Sequence, residues 1–526
     1  MSELLPTKAT FALDEPVAVE VRGLAAPETI SVWRLADQVG EVEVTPGAAV
    51  AAFGPLAAGG YGVESSSGAR SAFDVLEDPM QRLRYGFVSD YGPGRDPQAV
   101  VDNARRLHLN AIQFYDWMYR HADLLPPGDE FEDALGRKVS LATVRELVHG
   151  LREAGSLPLG YAAVYAVGAD HWDEWSSEGL FHADGSPWML ADFLWNVDPA
   201  SEPWLQHFTN DLRRATDEVG FAGFHLDQFG APKRAARADG RIVDLAEAFP
   251  QLIERVRDAL PQARLVFNNV NDFPTWTTAR ASHDAVYIEV WAPHDELGHL
   301  AGLVAKARAL APTKPVSLAA YLAVYARDDA SALQAMRFEL ATVFSHGATC
   351  LLHGEADAIL TDPYYVRHER MDARGYEVAV RYYDFAVRYG DLLFDRSAVD
   401  VTRTHSGGEN NEVRVSASVP VATDCVPGAL WARVVDSDRR QVVSLIDLSS
   451  QDDVAWNAPK QHAVPVTAAT VAFERVGQRA VNYYFASPED SPSAERLIPR
   501  TDGAHDIVDV PAFSTWALVW AEYGKD

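Results

Sequence analysis

Two short apolar runs in this chain carry an acid at or near their C-terminal ends: Gly223-Phe224-His225-Leu226-Asp227 and Val286-Tyr287-Ile288-Glu289-Val290-Trp291. A carboxylate is costly to bury unless it is paired or put to use. An acid closing a core strand therefore points to chemistry, above all in a parallel-stranded barrel, where the active site forms at that end. Asp227 and Glu289 lie 62 residues apart, the length of about two strand-helix units. Carboxylates paired in this way are the usual equipment for cleaving a glycosidic bond. One attacks the sugar or activates water, and the other protonates the leaving oxygen.

Other polar residues gather at the ends of other apolar runs. Asp116, Trp117, Tyr119 and His121 close one, and Tyr165 closes another. His225 and Gln228 flank Asp227, Asn268, Asn269 and Asn271 end a third run, and Trp291 follows Glu289. His353 and Glu355 end the last. Acids and amides suit sugar hydroxyls, and aromatic faces suit the apolar side of a pyranose. Each residue also has a plain structural reading. Asp227 could cap a helix, Asp116 could pair with Arg120, the two histidines could be core residues, and a single Trp is more often packing than a sugar platform. The combination across these strand ends is what carries the sugar reading. No HExxH spacing is present, and neither a metal nor a cofactor is expected. Were a metal used, His225, Asp227, His353 and Glu355 would be its ligands.

The elements that must position these residues follow from periodicity. Eight apolar runs, 84–90, 111–116, 157–165, 221–227, 264–270, 285–291, 314–321 and 348–355, alternate with helical patterns such as 97–109, 141–154, 245–260 and 332–346. Asp96 is placed to cap the first helix, with Pro97 at its first position. Eight such units over about 300 residues predict a (β/α)8 TIM barrel. No GxGxxG follows the first run, against a dinucleotide-binding sheet. Residues 1–80 read as short strands (Val17–Val21, Ile30–Trp33, Ala72–Val75) of an immunoglobulin-like β-sandwich. Strand patterns return over 395–526 as a second β-sandwich, leaving 81–394 for the barrel. The segment 166–200 is long for a loop and rich in Trp, Phe and His, which predicts a functional excursion.

Net charge is −29. Nucleic acid and anionic membrane are therefore excluded as expected partners, since both require clustered Lys and Arg. Two distant cysteines, Cys350 and Cys425, make no disulfide framework. The opening MSELLPTKAT has neither a basic nor an apolar leader region, so a cytoplasmic protein is expected.

The chain resembles glycoside hydrolase family 66, the dextranases and cycloisomaltooligosaccharide glucanotransferases. The segments that carry the resemblance are Arg84–Asp90, Gln113–His121 followed by Leu124-Leu125-Pro126, Gly223–Asp227 and Tyr287–Trp291. It implies a barrel between β-sandwiches, an α-glucan or oligosaccharide substrate, Asp227 as nucleophile and Glu289 as general acid/base. Cyclising members carry a further carbohydrate-binding module inserted in the barrel region. No such β insert interrupts the strand-helix pattern here, so the expectation is hydrolysis, with a transferase or a non-catalytic α-glucan binder as alternatives. In a retaining reaction Asp227 would attack the anomeric carbon of an α-1,6-linked glucosyl unit. Glu289 would begin protonated, its pKa raised by burial and by the neighbouring charge.

Overall fold

The computed structural model describes residues 2–327, 329–475 and 481–524. At its centre eight parallel strands follow one another in chain order: β1 (Tyr85–Val88), β2 (Ala111–Phe114), β3 (Leu157–Ala163), β4 (Gly223–Asp227), β5 (Arg264–Val270), β6 (Ala285–Glu289), β7 (Val316–Ala319) and β8 (Thr349–Cys350). Every one falls inside a run anticipated from sequence. Just beyond β8, the Phe87 N–H donates to the His353 carbonyl at 3.2 Å, bringing the last strand back to the first. The result is a TIM barrel.

Strand alternation divides the side chains. Tyr85, Phe87, Leu159, Val266, Tyr287 and Leu351 pack together inside the barrel. Phe224, Leu226, Leu265, Phe267, Val286 and Ile288 face the surrounding helices. Gly223 permits a close approach of β4 and β5, since a Cβ there would lie 1.8 Å from the Arg264 carbonyl oxygen.

The helices begin and end on local chemistry. Helix α1 (Gln98–Arg106) starts one residue later than anticipated, with Pro97 at the cap, while Asp96 Oδ1 still accepts from the Gln98 N–H. Ser140 caps α2 (Leu141–Glu153) and Ser201 caps α3 (Glu202–Val219), each accepting from a first-turn N–H. Gly220, at φ 88°, ends α3 in the left-handed conformation. Asp244 caps α4 (Leu245–Ala259). Helices α5 (Leu297–Leu310), α6 (Asp329–Ser345) and α7 (Ala373–Arg388) complete the ring.

On the N-terminal side lie a three-stranded sheet (Glu3–Pro6, Pro16–Arg22, Val50–Pro55) and a five-stranded sheet that share one apolar core. Arg84, entering β1, makes a bidentate ion pair with Asp74 of the five-stranded sheet at 2.8 and 3.0 Å, with both side chains fully buried. On the C-terminal side a seven-stranded and a four-stranded sheet face each other. The strand Trp516–Tyr523 shows why both of its faces are apolar. Ala517, Val519 and Ala521 pack between the sheets, while Trp516, Leu518 and Trp520 pack toward the barrel helices. Cys350 and Cys425 are both free thiols. Among the described residues no helix is long and apolar enough to cross a membrane.

The long segment after β3 folds on itself. Ala166–Gly168 pairs with Leu194–Asn196, which pairs with Met189–Leu190, all antiparallel. Trp172 stacks on Trp195, and His182 stacks on Trp188. Phe181 bridges to Ala236, in the hairpin that follows β4.

Candidate active site

A cavity of about 660 Å³ opens at the C-terminal ends of the strands, where a parallel barrel places its chemistry. Gln113, Tyr115, Tyr161, His225, Asp227, Asn268, Glu289 and Tyr321 line its floor, all from β2 to β7 or within two residues of their C-terminal ends. Leu190, Phe193 and Leu194 of the folded excursion form one wall. Tyr364 and Arg367, beyond β8, form another.

The two acids are held by one amide. Asn268 Nδ2 donates to Asp227 Oδ1 at 2.7 Å and to Glu289 Oε2 at 2.8 Å. Two oxygens bonded to one nitrogen at these lengths cannot be more than about 5.5 Å apart, which is the spacing at which one carboxylate can reach the carbon whose leaving group the other protonates. The Tyr161 hydroxyl donates to Asp227 Oδ2 at 2.7 Å. His225 Nε2 stands 4.0 Å from Asp227 Oδ1, and its Nδ1 shares a hydrogen bond with the Tyr85 hydroxyl at 3.0 Å.

The electrostatics separate the two carboxyls. Burial pushes the Asp227 pKa up to about 6, against the lowering effect of hydrogen bonds from Asn268 and Tyr161. Burial, with the Asp227 charge adding to it, pushes Glu289 up to about 7. Glu289 is thus the better proton carrier and Asp227 the readier anion. Burial holds His225 near 3, so its imidazole is neutral beside the acids.

The anticipated residues divide between cavity and core. Asp116, His121, His225, Gln228 and Trp291 line the cavity with the two acids. Asp116 adopts a left-handed backbone (φ 49°) just past β2, and burial raises its pKa to about 7. Its cation is Arg137 at 3.7 Å, whereas Arg120 bonds Asp170. The remaining anticipated residues make their contacts elsewhere. Trp117 is fully buried, packs edge-on to Phe221 and donates its indole N–H to the Tyr161 carbonyl. Tyr119 lies outside the cavity lining, under the Arg120 guanidinium. Tyr165 is buried and ties β3 to the loop after β4 through Phe229 N and Ala231 O. Asn269 points away from the cavity, donating to the Tyr287 carbonyl and accepting from the Thr278 hydroxyl. His353 lies past the end of β8, its ring against Tyr383 of α7. Glu355 is taken up by Arg95 and by the Ser89 and Asp90 N–H groups. His353 and Glu355 therefore do not join His225 and Asp227 as a ligand set. Among the described residues no group of three or more His, Cys, Asp or Glu is placed to hold a metal ion.

Asn268 and the tyrosines Tyr115, Tyr161 and Tyr321 also belong to the lining. Strand alternation was the signal that could have found them. Counting back by two from Glu289 or Val270 selects the inward set, and Asn268, not Asn269, belongs to it.

The sequence pattern of glycosyl hydrolase family 66 matches residues 58–520. A cycloisomaltooligosaccharide glucanotransferase of Niallia circulans is 25% identical over 282 residues, 48% of this chain and 29% of that protein. A dextranase of Streptococcus salivarius is 22% identical over 270 residues, 43% of this chain and 31% of that protein. The match thus spans about a third of these relatives' own length. Among solved structures, the cycloisomaltooligosaccharide glucanotransferase of a Paenibacillus species, complexed with cycloisomaltoheptaose, superposes with a TM-score of 0.89 at 18% identity. The likeness covers 99% of this chain and 100% of that one. A maltogenic α-amylase of Thermotoga neapolitana shares the fold more distantly, with a TM-score of 0.56 at 8% identity over 85% of this chain and all of that one. With the family pattern running from the N-terminal sheets to the last strand, the chain belongs to glycosyl hydrolase family 66.

Proposed function

We propose that this protein is a retaining, endo-acting hydrolase of α-1,6-glucans, dextran or isomaltooligosaccharides, with residues 81–394 as its catalytic unit. The observation that carries the reading is the amide-bridged pair: Asp227 and Glu289 within about 5.5 Å of each other, against about 6.5 to 9.5 Å for inversion. Asp227 attacks the anomeric carbon, and the bond from that carbon to the glycosidic oxygen breaks. Glu289 gives its proton to that oxygen, and a covalent glucosyl-enzyme forms. Water then enters, Glu289 takes its proton, and the new C–O bond releases Asp227 with the α configuration restored. In this reading Asp116 and His121 bind sugar hydroxyls and Trp291 a pyranose face, whereas the buried Gln228 amide holds the loop after β4 through the Asn268 and Phe273 carbonyls and the Gly230 N–H. The family match and the named relatives support an α-1,6-glucan as substrate.

A second reading, glucosyl transfer to a sugar acceptor through the same intermediate, is favoured by the apolar wall that Leu190, Phe193 and Leu194 give the same cavity, since an apolar surface holds water poorly. Product analysis on dextran and on short isomaltooligosaccharides tests both. Shorter linear α-anomeric products support hydrolysis, and longer or cyclic products support transfer. Turnover surviving in Asp227→Ala or Glu289→Ala would sink either reading. No turnover of any α-1,6-glucan would remove the substrate assignment.

A further inference from the structure

We propose that Asn268 is the positioning residue of the site, holding Asp227 and Glu289 at their working distance and coupling their protonation. The inference rests on the functional reading above and assigns a role of its own to the amide that bridges the two acids there.

Its neighbour shows what a structural asparagine looks like in the same strand. Asn269 uses both ends of its amide on the fold, donating to the Tyr287 carbonyl at 2.9 Å and accepting from Thr278. Asn268 does the opposite. Both N–H bonds go to the two acids, and its buried Oδ1 has no hydrogen-bond partner. An unpartnered buried carbonyl oxygen costs stability. The amide is thus oriented by the carboxylates and by its own backbone, whose carbonyl accepts from Gln228 Nε2 at 3.2 Å.

The chemical type matters as much as the position. An amide donates two hydrogen bonds from one rigid plane, so the acids are tied to each other as well as to β5. It is also neutral. A lysine or arginine here would hold both carboxyls ionised and leave Glu289 no proton to give. The amide favours each anion only modestly, consistent with the raised values near 6 and 7 that both acids retain.

The test compares Asn268→Ala and the equal-sized Asn268→Asp with wild type, reading kcat and KM against pH on an isomaltooligosaccharide, together with the melting temperature. Asn268→Ala should lower kcat by roughly 100-fold, as loss of a preorganised donor does, with KM within a few fold. Because the lost bonds favoured the ionised forms, both limbs of the pH profile should move to higher pH. Asn268→Asp, adding a third carboxyl, should move them further. Full activity in either variant, or lost activity with both limbs unmoved, overturns the proposal. If Asn268→Ala does not fold, the Asp variant decides alone. Activity persisting in Asp227→Ala or Glu289→Ala would instead bring down the functional reading beneath it.

Discussion

Two strands of this barrel end in nearly the same way. His225-Leu226-Asp227 closes β4, and His353-Gly354-Glu355 follows β8. Each places a buried imidazole two residues before an acid at the same end of the barrel, yet their fates are opposite. Asp227 receives hydrogen bonds from an amide and a phenol, both neutral, and faces the cavity. Glu355 is matched by the Arg95 guanidinium and two backbone N–H groups, and fastens the loop after β1 to the chain after β8. Spacing alone does not distinguish them. The partners do: neutral donors facing an open cavity at Asp227, a guanidinium and two backbone N–H groups that tie Glu355 into the fold.

The sharpest way to break this contrast is to remove each acid. Asp227→Ala or Glu289→Ala should lower kcat by at least roughly 10³-fold with the fold intact, measured by reducing-sugar release from dextran. Glu355→Ala should leave chemistry within about an order of magnitude but cost about 3 kcal/mol of stability by stranding Arg95, measured by urea denaturation. Equal loss of turnover in all three would erase the distinction.

The sign of the stability change provides a second test. The Asp227 and Glu289 pKa values are raised in the folded protein. Between the unfolded values near 4 and these raised ones, the folded state binds more protons, so stability falls as pH rises through that window. Asp227→Asn and Glu289→Gln should therefore raise the melting temperature at pH 7.5 and change it little at pH 4. Glu355→Gln should lower it at pH 7.5.

The same values set the activity profile. The proposed mechanism requires Asp227 ionised and Glu289 protonated, so kcat/KM should climb through about pH 6 and fall through about pH 7. A flat plateau from pH 5 to 9 would contradict the assignment of roles. The smallest effect belongs to Trp291, which is 39% exposed at the cavity edge. Trp291→Ala should raise KM several fold while changing stability by no more than about 0.5 kcal/mol, whereas Trp117→Ala, in the packed interior, should cost about 3 to 5 kcal/mol.

The barrel was legible in the sequence because buried parallel strands are written as short apolar runs, and all eight could be counted. The two acids were legible because they interrupt such runs. What was lost was direction. Asn269 and Asn268 are the same residue one position apart, and only the face of the strand separates a fold contact from a cavity contact. Trp117 and Tyr165 follow strand ends in sequence, but their rings turn into the packed layer, where indole and phenol find backbone partners. Glu355 could not be separated from Asp227 because its cation, Arg95, lies 260 residues away in sequence. Tyr161 was hidden for the opposite reason, since a tyrosine inside an apolar run reads as packing.

The wall of the cavity formed by residues 166–196 closes many of its backbone hydrogen bonds within the segment itself, in its three strands and in the turns between them. It joins the barrel where β3 ends and touches the β4 hairpin at the Phe181–Ala236 bridge. Such a unit can change length at its tip, around Leu190 to Phe193, without disturbing the register of the strands that carry the acids. In the proposed reading, the number of sugar units accommodated can thus drift in evolution, or be set by grafting, while the two acids stay where they are.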